Sequence, residues 1–306
     1  MSAKMTFVAR TIFVALCITL LPRSAALTQP VQTNPDVLGE IKHDLSPPLR
    51  DIKPAPPVPG PPRLMHPHAT HPPKIAPAQR DPVLQRSRGP LVSATVGLNF
   101  DGIDDVSQAS VSGFLVTPPD TNGAVGASQF VQWVNLAFAV FDKRTGAMIA
   151  HYPQAGNTLW SGFGGPCETD NDGDPIAQYD KAAGRWVLTQ PTFTKPFFIC
   201  VAVSQTSDAT GKYNRYQFSM PGFPDYPKLG VWPDGYYMSV NLFGSANLSG
   251  GRRFDKPYLC AFERSAMLAG LPATQVCFQT SKTSRAFCPR TSTGRRRLPR
   301  VRLITF

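Results

Sequence analysis

The sequence predicts an all-β fold of propeller-like blades, about three of them and incomplete as a ring, with a β-sandwich as the alternative. Three observations carry this. Between residues 96 and 279, short runs rich in β-branched and aromatic residues alternate with clusters of Gly, Asp, Asn and Pro. No long segment there shows the i, i+3, i+4 spacing of an amphipathic helix, residues 264–269 excepted. A unit also recurs: Asp120, Asp174 and Asp225 each precede a turn, with an aromatic (Phe130, Trp186, Tyr236) at the start of the next apolar run. These aspartates are 54 and 51 residues apart, and a period near 50 with several strands per unit is the spacing of blades.

The first 26 residues read as a cleavable export signal. Lys4 and Arg10 give a basic start, residues 11–21 (TIFVALCITLL) are continuously apolar, Pro22 breaks the run, and Ser24-Ala25-Ala26 offers small residues for cleavage. The run is about half the length needed to span a bilayer, so a cleaved signal is expected rather than an anchor. No later stretch is apolar enough to cross a membrane, and the mature protein is expected to be secreted or periplasmic.

Residues 27–95 hold 16 of the 32 prolines. Proline fixes φ and removes a donor, so this stretch is expected to be a disordered, polyproline-like spacer. Within it, His66, His68 and His71 are close enough for loose metal binding or are simply part of a solvated linker.

The strand texture begins near residue 98. It is clearest at 130–141 (FVQWVNLAFAVF), 186–190 (WVLTQ), 197–204 (FFICVAVS) and 236–242 (YYMSVNL). Cys17 leaves with the signal, and four of the remaining five cysteines, Cys167, Cys200, Cys260 and Cys277, lie in this region. They allow three connectivities. Pairing neighbours in sequence, Cys167 with Cys200 and Cys260 with Cys277, keeps each pair within one local sheet and suits an oxidising compartment. No C-x-x-C knuckle supports zinc.

Residues 280–306 form a basic tail containing Cys288 and eight basic residues but no acidic one. The signal adds three basic residues, and the two segments together account for the whole net charge of +11. The intervening 96–279 region is slightly acidic, with 12 basic and 15 acidic residues. A basic stripe with interleaved aromatics is absent from it, which argues against nucleic-acid binding.

Three strings carry a resemblance: P-P-D-T-N-G-A-V-G…F-V-Q-W-V-N (118–135), G-N-T-L-W-S-G-F-G-G-P-C-E-T-D-N-D-G-D-P…Y-D…R-W (156–186), and D-Y-P-K-L-G-V-W-P-D-G-Y-Y (225–237). Over roughly 115–279 the chain resembles a group of large secreted bacterial proteins of propeller type, whose biochemical activity is undefined. The resemblance implies a secreted β-propeller-like fold and supplies no catalytic residue. Members of that group continue for further blades. This chain departs from them near residue 280, where a frameshifted reading of a truncated gene would explain the basic tail.

The densest polar motif is Glu168-Thr-Asp170-Asn-Asp172-Gly-Asp174. Alternating carboxylates in a tight loop suit calcium, with Asp170, Asp172, Asp174 and Asp180 as the candidate ligands. Pro175 and Lys181 stand where an EF-hand needs Gly and Glu, so an EF-hand is excluded; Asp, Asn and Gly also simply make turns. Asp120, Asp174 and Asp225 are the candidate acid and base for glycoside cleavage, since matching places in blades converge on the axis; the competing role is capping the turn before each strand. His151 is the only histidine from 96 onwards, which disfavours a His-bearing triad. There is no G-x-S-x-G or H-E-x-x-H. Residues 161–165 (SGFGG) lack the Lys of a phosphate loop. Trp133 and Trp186 are expected in the core, whereas Trp160 and Phe163, in a Gly-rich loop, are candidates for surface stacking.

The expected function is a secreted extracellular binding module for a polysaccharide or a protein surface, with calcium as its candidate cofactor. The alternative is a carboxylate-based glycoside hydrolase or lyase.

Overall fold

The computed structural model describes residues 34–54, 97–149, 151–246 and 252–279, together with 61, 63–65, 87, 89 and 95. The export signal, the His66–His71 cluster and the basic tail lie outside the described residues. No helix among those described is long and apolar enough to cross a membrane.

The described part of the chain is all-β, built on antiparallel sheets. It opens with two short strands, β1 (Asp36–Gly39) and β2 (Lys42–Leu45), and a 3-10 turn at Leu49–Asp51. A minor parallel pair joins β3 (Arg63–Met65) to β4 (Phe114–Val116), with helix α1 (Asp105–Ser112) between them in sequence. The apolar period does not announce α1, because only Gln108 and Ala109 in it are buried. Its caps define it: the Asp104 carboxylate accepts from Ser107 N at 2.6 Å, and Gly113 closes the helix at φ 77°.

Three antiparallel meanders follow. The first holds β5 (Asn122–Val125), β6 (Gln129–Val134), β7 (Ala137–Asp142) and β8 (Gln154–Ala155). A 3-10 turn (Gly156–Trp160) and a one-turn helix α2 (Pro166–Thr169) lead to the second. That meander holds β9 (Ile176–Asp180), β10 (Arg185–Pro191), β11 (Phe198–Ser204) and β12 (Tyr213–Ser219). The third holds β13 (Phe223–Val231), β14 (Tyr236–Ala246), β15 (Arg252–Phe262) and β16 (Thr274–Gln279), with helix α3 (Arg264–Ala269) before the last strand. The helical spacing of 264–269 is thus confirmed. Consecutive strands pair in every meander, and the first strands touch across sheets, β5 against β9 and β9 against β13.

The second sheet is buried on both faces, which explains its unbroken apolar runs. Trp186, Leu188 and Cys200 face the first sheet, where they meet Val131, Trp133 and Phe138. Val187, Val201 and Tyr216 face the third, against Leu229, Met238 and Tyr258. All seven residues of β11 are buried. Trp133 and Trp186 are fully buried, as expected. Trp160 and Phe163 are too, so the surface-stacking expectation for that pair is corrected: their Gly-rich loop folds inward and fills the space between the first and second sheets.

The disulfides are Cys167–Cys200 and Cys260–Cys277. The second joins register partners on β15 and β16, as the single-sheet argument requires. The first instead pins α2 to β11.

The boundaries drawn from proline content also need correction. Residues 36–45 are not spacer: β1 is the fifth strand of the third sheet, beside β16, and β2 is the fifth strand of the second, beside β12. The step between sheets falls at Glu40 and Ile41, whose amides donate to Ala273 O (3.0 Å) and Gln217 O (2.8 Å). Averaging proline over the whole segment hid a proline-free window between Pro35 and Pro47, long enough for two short strands. Arg215, 2 % exposed, locks this segment down with bonds of 2.8 and 2.7 Å to the two oxygens of Asp44.

Candidate functional site

The repeat aspartates do gather. Asp120 lies just ahead of β5, Asp174 just ahead of β9, and Asp225 within β13 beside a bulge that ends at Lys228. Asp120 shares a hydrogen bond with Asp174, and the charges of Asp225 and Lys228 are felt at the same carboxyl. The backbone supports the pattern: Asp120, Asp174 and Tyr226 take φ of 43°, 50° and 52°, left-handed values that non-glycine residues rarely adopt. Such conformations persist where the surroundings over-determine them, often at ligand clamps.

The loops are tied across the sheets. Asn122 donates from Nδ2 to Pro175 O (2.6 Å) and accepts at Oδ1 from Ala177 N (2.7 Å), joining the first sheet to β9. Asp174 Oδ2 accepts from Tyr226 N at 2.8 Å, joining the second sheet to the third. The sequence reading missed Asn122. Its signal was its place, two residues after the first repeat aspartate.

Burial is the main reason the Asp120 carboxyl is pushed up to about 7; its hydrogen bond to Asp174 and that group's negative charge add to it. Lys228 opposes the shift and Asp225 adds a smaller push. The Asp120 carboxyl therefore keeps a proton to higher pH than an ordinary carboxyl does, in its contact with Asp174.

One aromatic stands beside this group. Tyr226 is 53 % exposed, and Lys228 Nζ lies 3.4 Å from its ring centroid.

The candidate calcium ligands Asp170, Asp172, Asp174 and Asp180 each accept hydrogen bonds from the protein itself. Asp170 Oδ1 accepts from Thr169 Oγ1 (2.8 Å) and Asp172 Oδ2 from Phe193 N (2.7 Å), while Asp174 serves Tyr226 and Asp120. Asp180 is buried. Its Oδ1 holds the turn at Ala182 N and Ala183 N, and its Oδ2 accepts from Tyr236 Oη (3.0 Å) and Arg264 Nε (2.7 Å). Protein donors thus occupy at least one oxygen of each carboxylate, while Asp170 Oδ2 is buried with no hydrogen-bond partner among the described residues. Among the described residues, no group of three or more His, Cys, Asp or Glu side chains is placed to hold a metal ion. Gly173 is in the loop for steric reasons: at φ 106°, a Cβ there would come within 2.1 Å of Asn135 Oδ1.

Comparison of the chain with protein-family models, with curated proteins and with solved structures finds no match in any of the three.

Proposed function

We propose that the protein is a secreted extracellular binding module of propeller-like blades, and that it meets its ligand where the Asp120, Asp174 and Asp225 loops converge. The observation that carries this is Tyr226, a half-exposed aromatic held on left-handed backbone beside three carboxylates and Lys228. A polysaccharide is the ligand class this chemistry suits best: the ring offers a stacking face, and carboxylates accept hydrogen bonds from sugar hydroxyls. A protein surface rich in hydroxyl and amide groups would use the same groups. The blade reading is supported by three consecutive meanders whose first strands lie side by side. Secretion is supported by the export signal and by two disulfides, which an oxidising compartment favours.

A second reading, hydrolysis by these carboxylates, is favoured by the proton Asp120 keeps near pH 7, as a general acid requires. Against it, Asp120 and Asp174 are in direct hydrogen-bond contact, whereas glycoside cleavage needs carboxyl groups about 5–9.5 Å apart. That leaves Asp225 as the only repeat aspartate able to serve as the distant partner.

A glycan array probed with protein beginning at Leu27 tests both readings. Retention of a polysaccharide that falls tenfold or more in Tyr226→Ala supports binding at the loops. Release of shortened sugars, abolished in Asp120→Asn, favours hydrolysis. Retention indifferent to Tyr226→Ala removes the loop site from consideration.

A further inference from the structure

The two faces of the third sheet differ in what lies against them. Alternation along its strands sends Leu229, Met238, Cys260 and Cys277 toward the second sheet, where they join the core between the two. The intervening positions point the other way. Tyr237 pairs with Ala261 and Ala261 with Val276, while Ser239 pairs with Leu259 and Leu259 with Phe278, so these residues share the outer face. Tyr237, Leu259, Ala261, Val276 and Phe278 are half-buried, and none of them belongs to a hydrophobic cluster of the described residues. The first sheet shows how the chain treats such a surface at the other end of the stack. Its outward-facing Phe130 and Phe141 are covered by Phe100, at ring distances of 6.2 and 5.3 Å, and Ile103 completes that cluster. A stack of sheets needs a cover at each end.

The centre of the third sheet's outer face is already dry. Ser239 is 0 % exposed, and Pro257, which pairs with Asn241 on the same face, is buried as well. Half-exposed side chains around a dry centre mark a face that a chain segment crosses, whereas an open face would wet its small residues.

The course of the chain identifies the segment. Strand β16 ends at Gln279, directly after Phe278, so residues 280–306 depart from this sheet. Fully extended, such a segment reaches about 90 Å, and the face is about 25 Å across its five strands. Charge agrees with this placement. The segment holds eight basic residues and no acidic one, while the exposed Asp234 and Glu263 border the sheet at the end of the strands opposite Gln279. Its last six residues, V-R-L-I-T-F, add apolar side chains for the face itself.

We propose that residues 280–306 occupy the outer face of the third sheet, crossing Ser239 and carrying their arginines toward Asp234 and Glu263. They close the stack at its third sheet as Phe100 and Ile103 close it at the first. Nothing in this depends on the carboxylate loops.

The segment carries its own probe. In protein beginning at Leu27, Cys288 is the one cysteine outside the two disulfides. Ser239→Cys and Tyr237→Cys each place a thiol on the face of an otherwise complete chain. Val106→Cys, in α1 at a position 70 % exposed, places one on the first-sheet side as the comparator. The monomer is oxidised mildly with glutathione disulfide, and the new bonds are mapped by peptide mass spectrometry. Ser239→Cys and Tyr237→Cys should close an intrachain disulfide with Cys288 at least tenfold faster than Val106→Cys. An unchanged thermal midpoint identifies the variant whose fold is intact, and Tyr237→Cys serves where Ser239→Cys lowers it. Rates equal to that of Val106→Cys overturn the proposal. So does a disulfide that joins two chains, which would give the face to a second copy.

Discussion

The Asp120 carboxyl is pushed well above the ordinary carboxylate range, and its pH dependence has a definite sign. Its folded value, about 7, lies above the ordinary 3.8, so between those limits the folded state binds more protons than the unfolded state. Stability then falls as pH rises: this contribution is complete below about pH 4 and lost as pH passes through 7. The group is only half-buried, so solvent screening reduces the effect to about 1 kcal/mol, or about 2–4 °C in a domain of this size. Thermal unfolding of the wild type at pH 5.5 and 8.5 should show that loss. Asp120→Asn, which keeps a donor facing Asp174 but cannot titrate, should show a flatter profile. An equal slope in the variant would place the titration elsewhere. Asp208 does not interfere in this window. Although burial opposes it, the Thr210 amide and hydroxyl, the Gln129 amide and Arg50 hold it below the ordinary carboxylate range, so its contribution is lost only in acid.

Among the elements, the N-terminal strands have the largest consequence for their size. β1 and β2 bury little of themselves: Val37 is 62 % exposed, Leu38 43 % and Leu45 48 %. What they contribute is backbone, covering the outer edges of β16 and β12, whose free N–H and C=O groups would otherwise offer templates for pairing with another chain. A chain beginning at Pro47 should therefore unfold at a lower temperature and associate in a concentration-dependent way by light scattering; a monomer with an unchanged midpoint would show that the edges need no cover. This strand pair was illegible in the sequence because its side chains carry almost no burial signal and its neighbourhood is dominated by proline. Helix α1 was illegible for a related reason, being set by Asp104 and Gly113 rather than by an apolar stripe. The interior strands were legible because burial on both faces writes itself as continuous apolar sequence, as in β11. The candidate site was half legible. Periodicity found the three aspartates. The proton shared by Asp120 and Asp174, the cross-sheet bridge of Asn122 and the exposure of Tyr226 depend on how separate sheets meet. Trp160 and Phe163 show the opposite failure, where a glycine-rich context suggested surface and tertiary packing made core.

For the whole molecule, the two disulfides set how the sheets are held. Cys167–Cys200 spans 33 residues and ties the inter-meander loop to the central sheet, while Cys260–Cys277 spans 17 and staples two strands of the third. In the chain-entropy account, loops of these lengths contribute about 3–4 kcal/mol each. Together that is about 7 kcal/mol, within the 5–15 kcal/mol range of a typical domain's entire stability. All four sulfurs belong to residues no more than 5 % exposed, so a reductant must wait for the structure to open before it can reach them. Two linked outcomes are expected. Dithiothreitol alone at 25 °C should leave the disulfides largely intact over hours, with thiol labelling appearing only as denaturant is added. Once reduced and alkylated, the protein should lose most of its cooperative transition, having given up stability comparable to its total. Replacing Cys260 and Cys277 by a Val–Val pair should be the milder change, since the β15–β16 ladder survives it. Removing Cys167–Cys200 should also loosen the loop between the first two meanders, visible as faster amide exchange at 157–168. Exchange there unchanged after loss of Cys167–Cys200 would mean that the loop is held well enough by Arg215, bonded to the carbonyls of Leu159 and Ser161, and by Glu168, bonded to the amides of Gly162 and Gly164.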